Sequence, residues 1–277
     1  MPSLYIQVLI EDTAHRRHLH GEHGLSFWIR HNDKDILFDT GQSSGFNENA
    51  HKLGVNLESA QAIIFSHGHY DHVGGAITAL KAATSATLYL HPDALEGKFA
   101  GQPANMREVG ITAEIREHLS SQRHRLRLIT KPTEILPGAF LTGPIPRESK
   151  FEDTGGKFFN DSTGTVMDSI LDDMAISFTT KEGLVVIVGC AHAGIVNTLN
   201  YIASQHHDQK IHAVIGGFHL VNATEDRLQK TIEALKDFPE CTFHPNHCTG
   251  FRATIALVNA FGKRCRPIHT GDSLNFS

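Results

Sequence analysis

One ten-residue stretch holds most of the side chains in this chain that could do metal chemistry. Residues 66–75 read SHGHYDHVGG, which places His67, His69, Asp71 and His72 within six positions. Imidazole binds zinc, iron and nickel, and a carboxylate adds a charged oxygen ligand. A histidine-rich surface loop is the alternative, since the chain has 20 histidines. A chance cluster of this composition directly after an apolar run is less expected than a metal site.

The spacing of these residues favours two ions over one. His67 and His69 are two positions apart, so in an extended segment their side chains point the same way and can hold one ion together. Asp71 and His72 are adjacent and lie past a turn, so they face a different point. Pairs of ions about 3.5–4 Å apart are common in hydrolytic sites. The stretch therefore predicts a binuclear centre, with half of the motif on each ion.

A buried strand must position this motif, because an apolar run precedes it and a helical pattern follows Gly74-Gly75. Strand-like runs recur along the chain at 4–10, 25–30, 35–39, 61–65, 86–90, 183–188, 211–215 and 265–270. Apolar stripes predict helices in 193–204 and 224–238, the second with Asn222 or Thr224 as its N-cap. Strands interleaved with helices predict an α/β fold, and specifically an αββα sandwich with the metal site at the sheet edge.

A single domain covering 1–277 is expected, because 277 residues that are 40% hydrophobic can fill one large core. Within it, residues 92–175 are rich in glycine and proline, and regular patterns weaken there. Long irregular segments often act as lids or binding loops. We predict that this insertion covers the metal site and shapes the substrate pocket. A tolerated surface excursion is the alternative.

Composition argues against several classes of function. The net charge is −5 and no block of lysine or arginine occurs, so we expect no nucleic-acid partner. No apolar run is long enough to span a bilayer, and the first residues do not resemble a signal peptide, so we expect no membrane partner. The four cysteines form no CxxC pair. A cytoplasmic protein without disulfides is therefore expected, and the oligomeric state stays open.

Two further histidines are placed to complete the two metal sites. His192 follows the apolar strand at 183–188 and precedes a helix, which repeats the setting of the first motif. We assign it to the ion held by the first two histidines of the motif. His247 follows another strand-like segment and precedes Thr249-Gly250. We assign it to the ion held by the last two residues of the motif. For both His192 and His247, the alternative is a buried histidine with a purely structural role.

Four other residues are candidates for supporting roles. His219 follows Gly216-Gly217 at a strand end and could be a ligand, a pocket residue or a general acid; we favour a pocket residue, and name it with Asp71 as a catalytic candidate. Asp39 is predicted to orient a ligand histidine through its other ring nitrogen, with a simple Asx turn as the alternative. Arg147 and Glu152, in the insertion, are candidate substrate contacts because arginine suits phosphate and carboxylate groups, with a surface role as the equal alternative.

The HxHxDH stretch resembles the signature of the metallo-β-lactamase superfamily, and the resemblance extends over nearly the whole chain. It is carried by FDTGQS (38–43), GCAHAGIVN (189–197), GGFHL (216–220) and HCTG (247–250). Together with EHGLSF (22–27) and TGPIPR (142–147), these segments are similar to a narrower group, the 7,8-dihydropterin-6-yl-methyl-4-(β-D-ribofuranosyl)aminobenzene 5'-phosphate synthase-like proteins. The resemblance implies the αββα fold of metallo-β-lactamase type and metal-dependent catalysis.

One departure from the superfamily concerns the aspartate that bridges the two ions in many members, in a Thr-Gly-Asp segment. Here the comparable strand ends in Val188-Gly189-Cys190. Either Cys190 takes that place as a thiolate, which would favour zinc, or the bridge is missing. Asp272 follows Thr270-Gly271 and matches the segment locally. Because it comes after His247, out of the usual order, we interpret it as a turn residue that stays a candidate.

Four histidines near the N-terminus also form a group. His15, His18, His20 and His23 lie close to two arginines. A second metal site is conceivable there. A polar loop near the mouth of the pocket is the interpretation that we favour.

These residues predict a hydrolase with two divalent ions, zinc first, and Mn, Fe or Mg as alternatives. With Asp71 as the one clear carboxylate ligand, the centre keeps positive charge and favours a small anionic substrate. The ions would lower the pKa of bound water toward ~7, and metal-bound hydroxide would attack a phosphoester or lactone-like bond.

Three other functions stay open. The resemblance implies a synthase or transferase as the first alternative, which condenses a pterin with an aminobenzene ribofuranosyl phosphate. There the metals activate a departing phosphorylated group and an amine replaces water. Redox chemistry at two irons, as in flavodiiron proteins, is the second, although the motifs point away from it. A non-catalytic metal-binding sensor is the third.

Overall fold

Sixteen β-strands and seven α-helices alternate along the part of the chain that the computed structural model describes, residues 4–102 and 105–277. The strands are β1 Leu4–Ile10, β2 Ser26–His31, β3 Lys34–Phe38, β4 Ala60–Ile64, β5 Thr87–Leu90, β6 Phe99–Gln102, β7 Asn105–Glu108, β8 Leu126–Leu128, β9 Thr133–Leu136, β10 Ala139–Leu141, β11 Phe158–Phe159, β12 Ala175–Thr180, β13 Gly183–Val188, β14 Ile211–Gly217, β15 Thr242–Asn246 and β16 Ser273–Phe276. The helices are α1 Gly45–Lys52, α2 Tyr70–Val73, α3 Ala76–Ala82, α4 Ala113–Ser121, α5 Ile195–Gln205, α6 Glu225–Leu235 and α7 Phe251–Phe261.

The strands form two large sheets and one small sheet. The first sheet has seven strands in the order β16-β1-β2-β3-β4-β5-β8, and the second has six in the order β15-β14-β13-β12-β10-β9. The small sheet is β11-β6-β7. Strands β3, β4, β5 and β8 run parallel in the first sheet, and β13, β14 and β15 do so in the second. Because parallel neighbours end at the same edge, the loops that follow them meet there.

Side-chain alternation explains why the two large sheets pack face to face. In β13, Val185 and Ile187 belong to the core between the sheets, whereas Leu184 and Val186 pack with α5, α6 and α7. In β3, Leu37 packs instead with α1, α3 and α4 on the outer face of the first sheet. Burying one aliphatic side chain of this size stabilises the fold by about 1.5–3 kcal/mol. The layers are therefore helix, sheet, sheet and helix, as predicted.

Seven of the eight predicted strands are present, with boundaries shifted by at most two residues. The strand predicted at 265–270 is wrong. That segment makes only single bridges, from Cys265 to Phe243 and from Thr270 to Ala14. Pro267 has no N–H to donate to a ladder, so a continuous pairing cannot form there. The last strand of the chain is β16 instead.

Both predicted helices are confirmed as α5 and α6. The N-cap of α6 is Thr224, whose hydroxyl accepts a hydrogen bond from the backbone N–H of Arg227 at 3.2 Å. Of the two residues predicted for this cap, Asn222 is not used. Within the described ranges, no helix is long and apolar enough to cross a membrane.

The segment 92–175 is more regular than the sequence predicts. It contains α4, which packs on the first sheet, and β8, which forms an edge of that sheet. It also contains β9 and β10 at one edge of the second sheet. These strands have only three or four residues, too few to show a periodic pattern. The prediction of irregular structure is therefore wrong for these elements. It describes best the connection between β10 and β12.

Candidate metal centre

The loops that follow five strands meet at one edge between the two large sheets. In the first sheet, β3 ends before Asp39 and β4 ends before the HxHxDH motif. In the second sheet, β13, β14 and β15 end before His192, His219 and His247. The parallel strands of both sheets thus bring residues from distant parts of the chain to one place.

Strained backbone marks the same edge. Asp39, Ala191, His219 and His247 have φ angles of 57°, 53°, 44° and 46°. A residue with a side chain held in this left-handed conformation costs about 1–3 kcal/mol. Strain of this kind persists where the surrounding structure holds a particular geometry in place, so these turns give the edge a fixed arrangement of side chains.

Three histidines form a buried cluster that we call the first half-site: His67, His69 and His192. One ligand atom from each lies within 4.8 Å of the others. Nε2 of His67 is 3.0 Å from Nδ1 of His69, so these two nitrogens face the same point. The structure therefore brings together the three residues that the sequence assigns to one ion.

The outer nitrogens of these rings are held by neighbours. Nδ1 of His192 donates to the carbonyl oxygen of Thr154 at 2.8 Å, which leaves the lone pair of its Nε2 free. Nδ1 of His67 is 2.9 Å from the hydroxyl of Ser66. Such outer contacts fix the tautomer and the orientation of a ligand histidine.

Three further residues form what we call the second half-site: Asp71, His72 and His247. One carboxylate oxygen of Asp71 is 3.4 Å from Nε2 of His247 and 3.8 Å from Nε2 of His72. Cys190 lies beside this cluster, with its Sγ 3.1 Å from Nε2 of His72. The same sulfur also lies within 4.8 Å of a ring nitrogen of His67, so it stands between the two half-sites.

Two aspartates orient the histidines of the second half-site. The carboxylate of Asp39 accepts from Nδ1 of His72 at 2.7 Å and from the Ser66 hydroxyl at 2.7 Å. The contact predicted for Asp39 is therefore present. Asp12 accepts from Nδ1 of His247 at 2.6 Å, a contact that the sequence did not reveal. Its only signal was an acidic residue two positions after the end of β1.

Burial keeps the rings of the first half-site neutral. It lowers the pKa of His67 and His192 well below the ordinary value and lowers that of His69 to about 3. Neutral imidazole with a free lone pair is the form that binds metal. In the second half-site, burial alone would raise the pKa of Asp71, but His72 and neighbouring histidines lower it well below its usual range. Asp71 is therefore ionised.

Unsatisfied buried atoms indicate that the two half-sites are shaped for ions. Nε2 of His69, His192 and His247 is buried without a hydrogen-bond partner. A buried polar atom left in this state costs about 1–3 kcal/mol. Coordination would satisfy Nε2 of His192 and of His247, whereas His69 faces the first half-site with its Nδ1, and imidazole with carboxylate suits divalent ions. The donor set thus fits a metal ion in each half-site.

An open cavity of about 590 Å³ lies over both half-sites. Asp71 and His219 line it on the metal side, and Phe158 of β11 lines it on the side of the insertion. Two cationic side chains, Arg107 and Lys157, also line it. The cavity therefore combines the metal-side residues with an aromatic ring and positive charge.

His219 lies against the first half-site, and one ligand atom each of His219, His192 and Cys190 lie within 4.8 Å of one another. Its ring centroid is 4.1 Å from that of His192, and its Nδ1 is buried without a partner. Gly155 packs on the ring so closely that a Cβ at this position would lie 1.9 Å from it. The insertion therefore approaches the site at Gly155, and its role as a cover for the substrate stays a prediction.

A family model described as the metallo-β-lactamase superfamily matches residues 21–210. The chain belongs to the metallo-β-lactamase superfamily. The fold predicted from the sequence, an αββα sandwich of metallo-β-lactamase type, is confirmed.

Similar members of the superfamily match over almost the whole chain. The 7,8-dihydropterin-6-methyl-4-(β-D-ribofuranosyl)-aminobenzene-5'-phosphate synthase of Methanocaldococcus jannaschii is 31% identical over 285 residues, covering 99% of this chain and 97% of the relative. A crystal structure described as a metal-dependent hydrolase of the β-lactamase superfamily has 32% identity, a TM-score of 0.82 and 98% coverage of both chains. Zn²⁺-bound PqqB from Methylobacterium extorquens shares the fold, with 13% identity, a TM-score of 0.56 and coverage of 98% and 99%.

Behind the first half-site of this superfamily member lies a buried group that we call the Lys98 cluster: Lys98, its ion-pair partners Asp168 and Asp172, and the adjacent Asp173, whose pKa burial raises to about 7. The ammonium of Lys98 donates to Asp168 at 2.9 Å and to Asp172 at 2.7 Å. Asp172 also accepts from the backbone N–H of Gly68, and Asp173 accepts from that of Ala193, each at 2.7 Å. The cluster therefore holds both loops that carry the first half-site. Sequence reasoning missed it, although its three aspartates lie within six residues.

Arg147 and Glu152 do not line the cavity, so their predicted contact with substrate is not supported. The guanidinium of Arg147 donates to the carbonyl oxygens of His192 and Ser169. The carboxylate of Glu152 accepts from the backbone N–H groups of Val196 and Asn197, at 3.0 and 2.8 Å, and so caps α5. Both residues instead hold the loop and the helix that follow β13.

Asp272 lies in a turn, as expected, where its carboxylate accepts from the backbone N–H of His269 at 3.0 Å. Of the N-terminal histidines, His23 reaches the candidate centre. Its Nδ1 is 3.2 Å from Asp12 and its Nε2 is 3.3 Å from Asp71. The preferred interpretation, a polar loop near the mouth of the pocket, describes His23 incompletely, because the residue contacts a candidate ligand.

Proposed function

We propose that this chain is a metal-dependent hydrolase with two divalent ions that acts on a small anionic molecule, such as a phosphoester or a lactone-like compound. One observation carries the proposal: the candidate ligand atoms of two half-sites converge beneath an open cavity. The family and the full-length relatives support an enzyme of this superfamily.

Charge supports an anionic substrate. Two divalent ions carry four positive charges, and Asp71 is the one carboxylate among the six proposed ligands. Arg107 and Lys157 add positive charge to the lining of the cavity. Net positive charge around a metal pair attracts phosphate and carboxylate groups.

The ions, when bound, would supply Lewis acidity and lower the pKa of water. The protein residues then divide the remaining tasks. The first half-site and Asp71, His72 and His247 would hold the ions. His219, at the boundary of the cavity, is placed to give a proton to a leaving group. Phe158 would pack against the apolar part of the substrate.

Zinc is the ion that we propose first. Imidazole nitrogens dominate both half-sites, and a thiol lies between them. Zinc is commonly bound by nitrogen and sulfur ligands, whereas magnesium and calcium prefer oxygen. The Zn²⁺-bound PqqB structure of the same fold agrees with this choice. Manganese and iron are the other candidates.

A synthase or transferase is a second candidate, favoured by the name of the M. jannaschii relative. The cavity also offers aromatic groups against which a flat heterocycle could stack. The ring of Phe158 lies 5.0 Å from that of His69, and Tyr70 lines the same cavity. In this alternative an amine takes the place of water as the nucleophile.

Metal analysis and a substrate panel test the proposal together. Purified protein, loaded with zinc or manganese, would be assayed against phosphomonoesters, phosphodiesters and lactones. We expect about two ions per chain and turnover of at least one class. Two bound ions without hydrolysis, but with condensation of a pterin and an aminobenzene ribofuranosyl phosphate, would establish the synthase. Failure to bind metal would refute both.

A reducing compartment is proposed for this protein. All four cysteines are free thiols and all are buried. Cytoplasmic proteins rarely carry disulfides. We also propose that its partner is the small-molecule substrate, with no nucleic-acid or membrane partner, because the binding feature found at the candidate centre is a small concave cavity.

A further inference from the structure

Two of the four cysteines lie at the metal centre and two do not. Cys190 and Cys248 line the cavity above the half-sites. Cys241 and Cys265 belong instead to the apolar core between the second sheet and its helices. The chain therefore contains its own matched pair of buried cysteines for comparison.

The two cavity cysteines lie close to each other and to a candidate ligand. Their sulfur atoms and a ring nitrogen of His247 lie within 4.8 Å of one another. Sγ of Cys190 is 3.1 Å from Nε2 of His72, as described above. Sγ of Cys248 is 3.8 Å from the carbonyl oxygen of Cys190. Both sulfur atoms thus border the second half-site.

The middle strand β14 is built to allow this approach. Cys190 follows β13 and Cys248 follows β15, so β14 runs between them. Gly217, the last residue of β14, faces the gap. A Cβ at this position would lie 2.4 Å from Sγ of Cys248 and 2.7 Å from the carbonyl oxygen of Gly189. Only glycine leaves room for the sulfur of Cys248 to reach across the strand.

We propose that Cys248 is a metal ligand, and that Cys248 and Cys190 together give the second half-site a pair of sulfur donors for a thiophilic divalent ion such as Zn²⁺ or Cd²⁺. The inference rests on the proposed binuclear centre and extends it. Each thiol loses its proton to water as its sulfur–metal bond forms. The two half-sites then differ in kind, with nitrogen donors in one and mixed oxygen, nitrogen and sulfur donors in the other.

Cadmium reveals sulfur ligation directly, because a thiolate bound to Cd²⁺ absorbs ultraviolet light by charge transfer. Full-length protein, freed of metal and kept reduced, would be titrated with Cd²⁺. Four single variants would be compared: Cys190→Ala, Cys248→Ala, and the controls Cys241→Ala and Cys265→Ala. We expect the band to fall by about half in each of the first two and to stay unchanged in the controls.

The affinity for the second zinc ion gives an independent readout. We expect Cys248→Ala to weaken it by more than about 10-fold, because even the outer partners of ligands contribute that much. A full charge-transfer band and unchanged affinity in Cys248→Ala would overturn the proposal. A band lost in Cys190→Ala alone would leave Cys190 as the single sulfur ligand, which also overturns it.

X-ray absorption on the unmodified protein removes any dependence on folding of the variants. Zn–S distances of about 2.3 Å identify sulfur neighbours. With two zinc ions per chain, a sulfur that binds one ion adds about one half to the average number of sulfur neighbours per zinc, and the difference between the unmodified protein and Cys248→Ala gives the share of Cys248 even if Cys190 bridges both ions. Two bound ions with no sulfur neighbour refute this inference alone, whereas absence of bound metal refutes the proposed function.

Discussion

The two half-sites are neighbours, yet the protein supports them in different ways. The first half-site consists of three buried imidazoles, and burial lowers the pKa of each. Its supports are a carbonyl oxygen, a hydroxyl and the Lys98 cluster behind the loops. The Lys98 cluster holds the two loops of this half-site through the backbone N–H groups of Gly68 and Ala193.

The second half-site is held through its side chains. Carboxylates contact the outer nitrogens of His72 and His247, and Asp71 itself contacts His23. Asp12 is a half-exposed partner in this arrangement, whereas the Lys98 ammonium is fully buried. The first half-site therefore depends on contacts that hold its loops in place. The second depends on single carboxylates that contact its side chains. Substitutions should therefore separate them.

Loss of Asp71 should have the largest effect. Asp71→Ala removes the carboxylate ligand of the second half-site and should release one ion. Several kcal/mol of transition-state stabilisation are lost with it, so we expect activity to fall by at least ~10³-fold. Metal analysis should show one ion in place of two. Asp272→Ala, a carboxylate in a turn, should keep both ions, and a two-metal, fully active Asp71→Ala protein would refute the assignment.

Removal of the Lys98 ammonium should act on the framework. Lys98→Met leaves Asp168 and Asp172 buried and uncompensated, and breaking a buried ion pair in this way costs about 3–5 kcal/mol. We expect a lower free energy of unfolding and weaker metal binding at the first half-site. Denaturant unfolding and metal titration measure the two effects separately.

A surface lysine provides the control for this substitution. Lys210 pairs with Glu240 where both side chains are exposed, so Lys210→Met should change stability by less than about 1 kcal/mol. If Lys98→Met does not fold, Asp168→Asn removes a single partner and should show a smaller loss of the same sign. Equal stability of Lys98→Met and Lys210→Met would contradict the role given to the cluster.

The two orienting aspartates should have smaller and distinguishable effects. Asp12 contacts His247, whereas Asp39 contacts His72 directly and reaches His67 through Ser66. We expect Asp12→Asn to weaken only the second ion, by about 10–100-fold, and Asp39→Asn to weaken both. Calorimetric titration with zinc resolves the two binding steps. An Asp12→Asn protein that loses the first ion would break the proposed division.

Relief of backbone strain should have the smallest effect. Ala191 has a φ of 53° between Cys190 and His192. Glycine adopts this conformation without the steric cost, so Ala191→Gly should raise the free energy of unfolding by about 1 kcal/mol while metal content stays at its wild-type value. Thermal unfolding of the metal-free protein measures this gain. A loss of stability would show that the Ala191 methyl group contributes more by packing than it costs.

The features of this site that the sequence revealed are patterns among residues close together in the chain. The candidate ligands of the HxHxDH motif lie within six residues, and the strands before them show continuous apolar runs, so short-range patterns were enough to propose the first and to predict the second. The fold followed from the alternation of such runs with helical stripes. The α5 and α6 helices were found for the same reason.

What the sequence did not reveal depends on contacts between distant residues. Asp12 lies 235 positions from His247, and Lys98 lies 74 positions from Asp172. A lone aspartate or lysine carries no periodic signal, so only the folded chain shows its partner. The sequence also could not separate the two roles considered for Arg147, since a guanidinium that binds backbone carbonyls has the same sequence signal as one that binds phosphate.

Each half-site draws side chains from both large sheets, which has a consequence for the lifetime of the protein. His67 and His192 come from different sheets, as do Asp71 and His247. An ion bound only by the folded chain raises its unfolding free energy, by about 2.7 kcal/mol when free metal exceeds Kd 100-fold. Copies that lack metal would unfold more often and be degraded sooner. The abundance of this protein in the cell should therefore follow the supply of its metal.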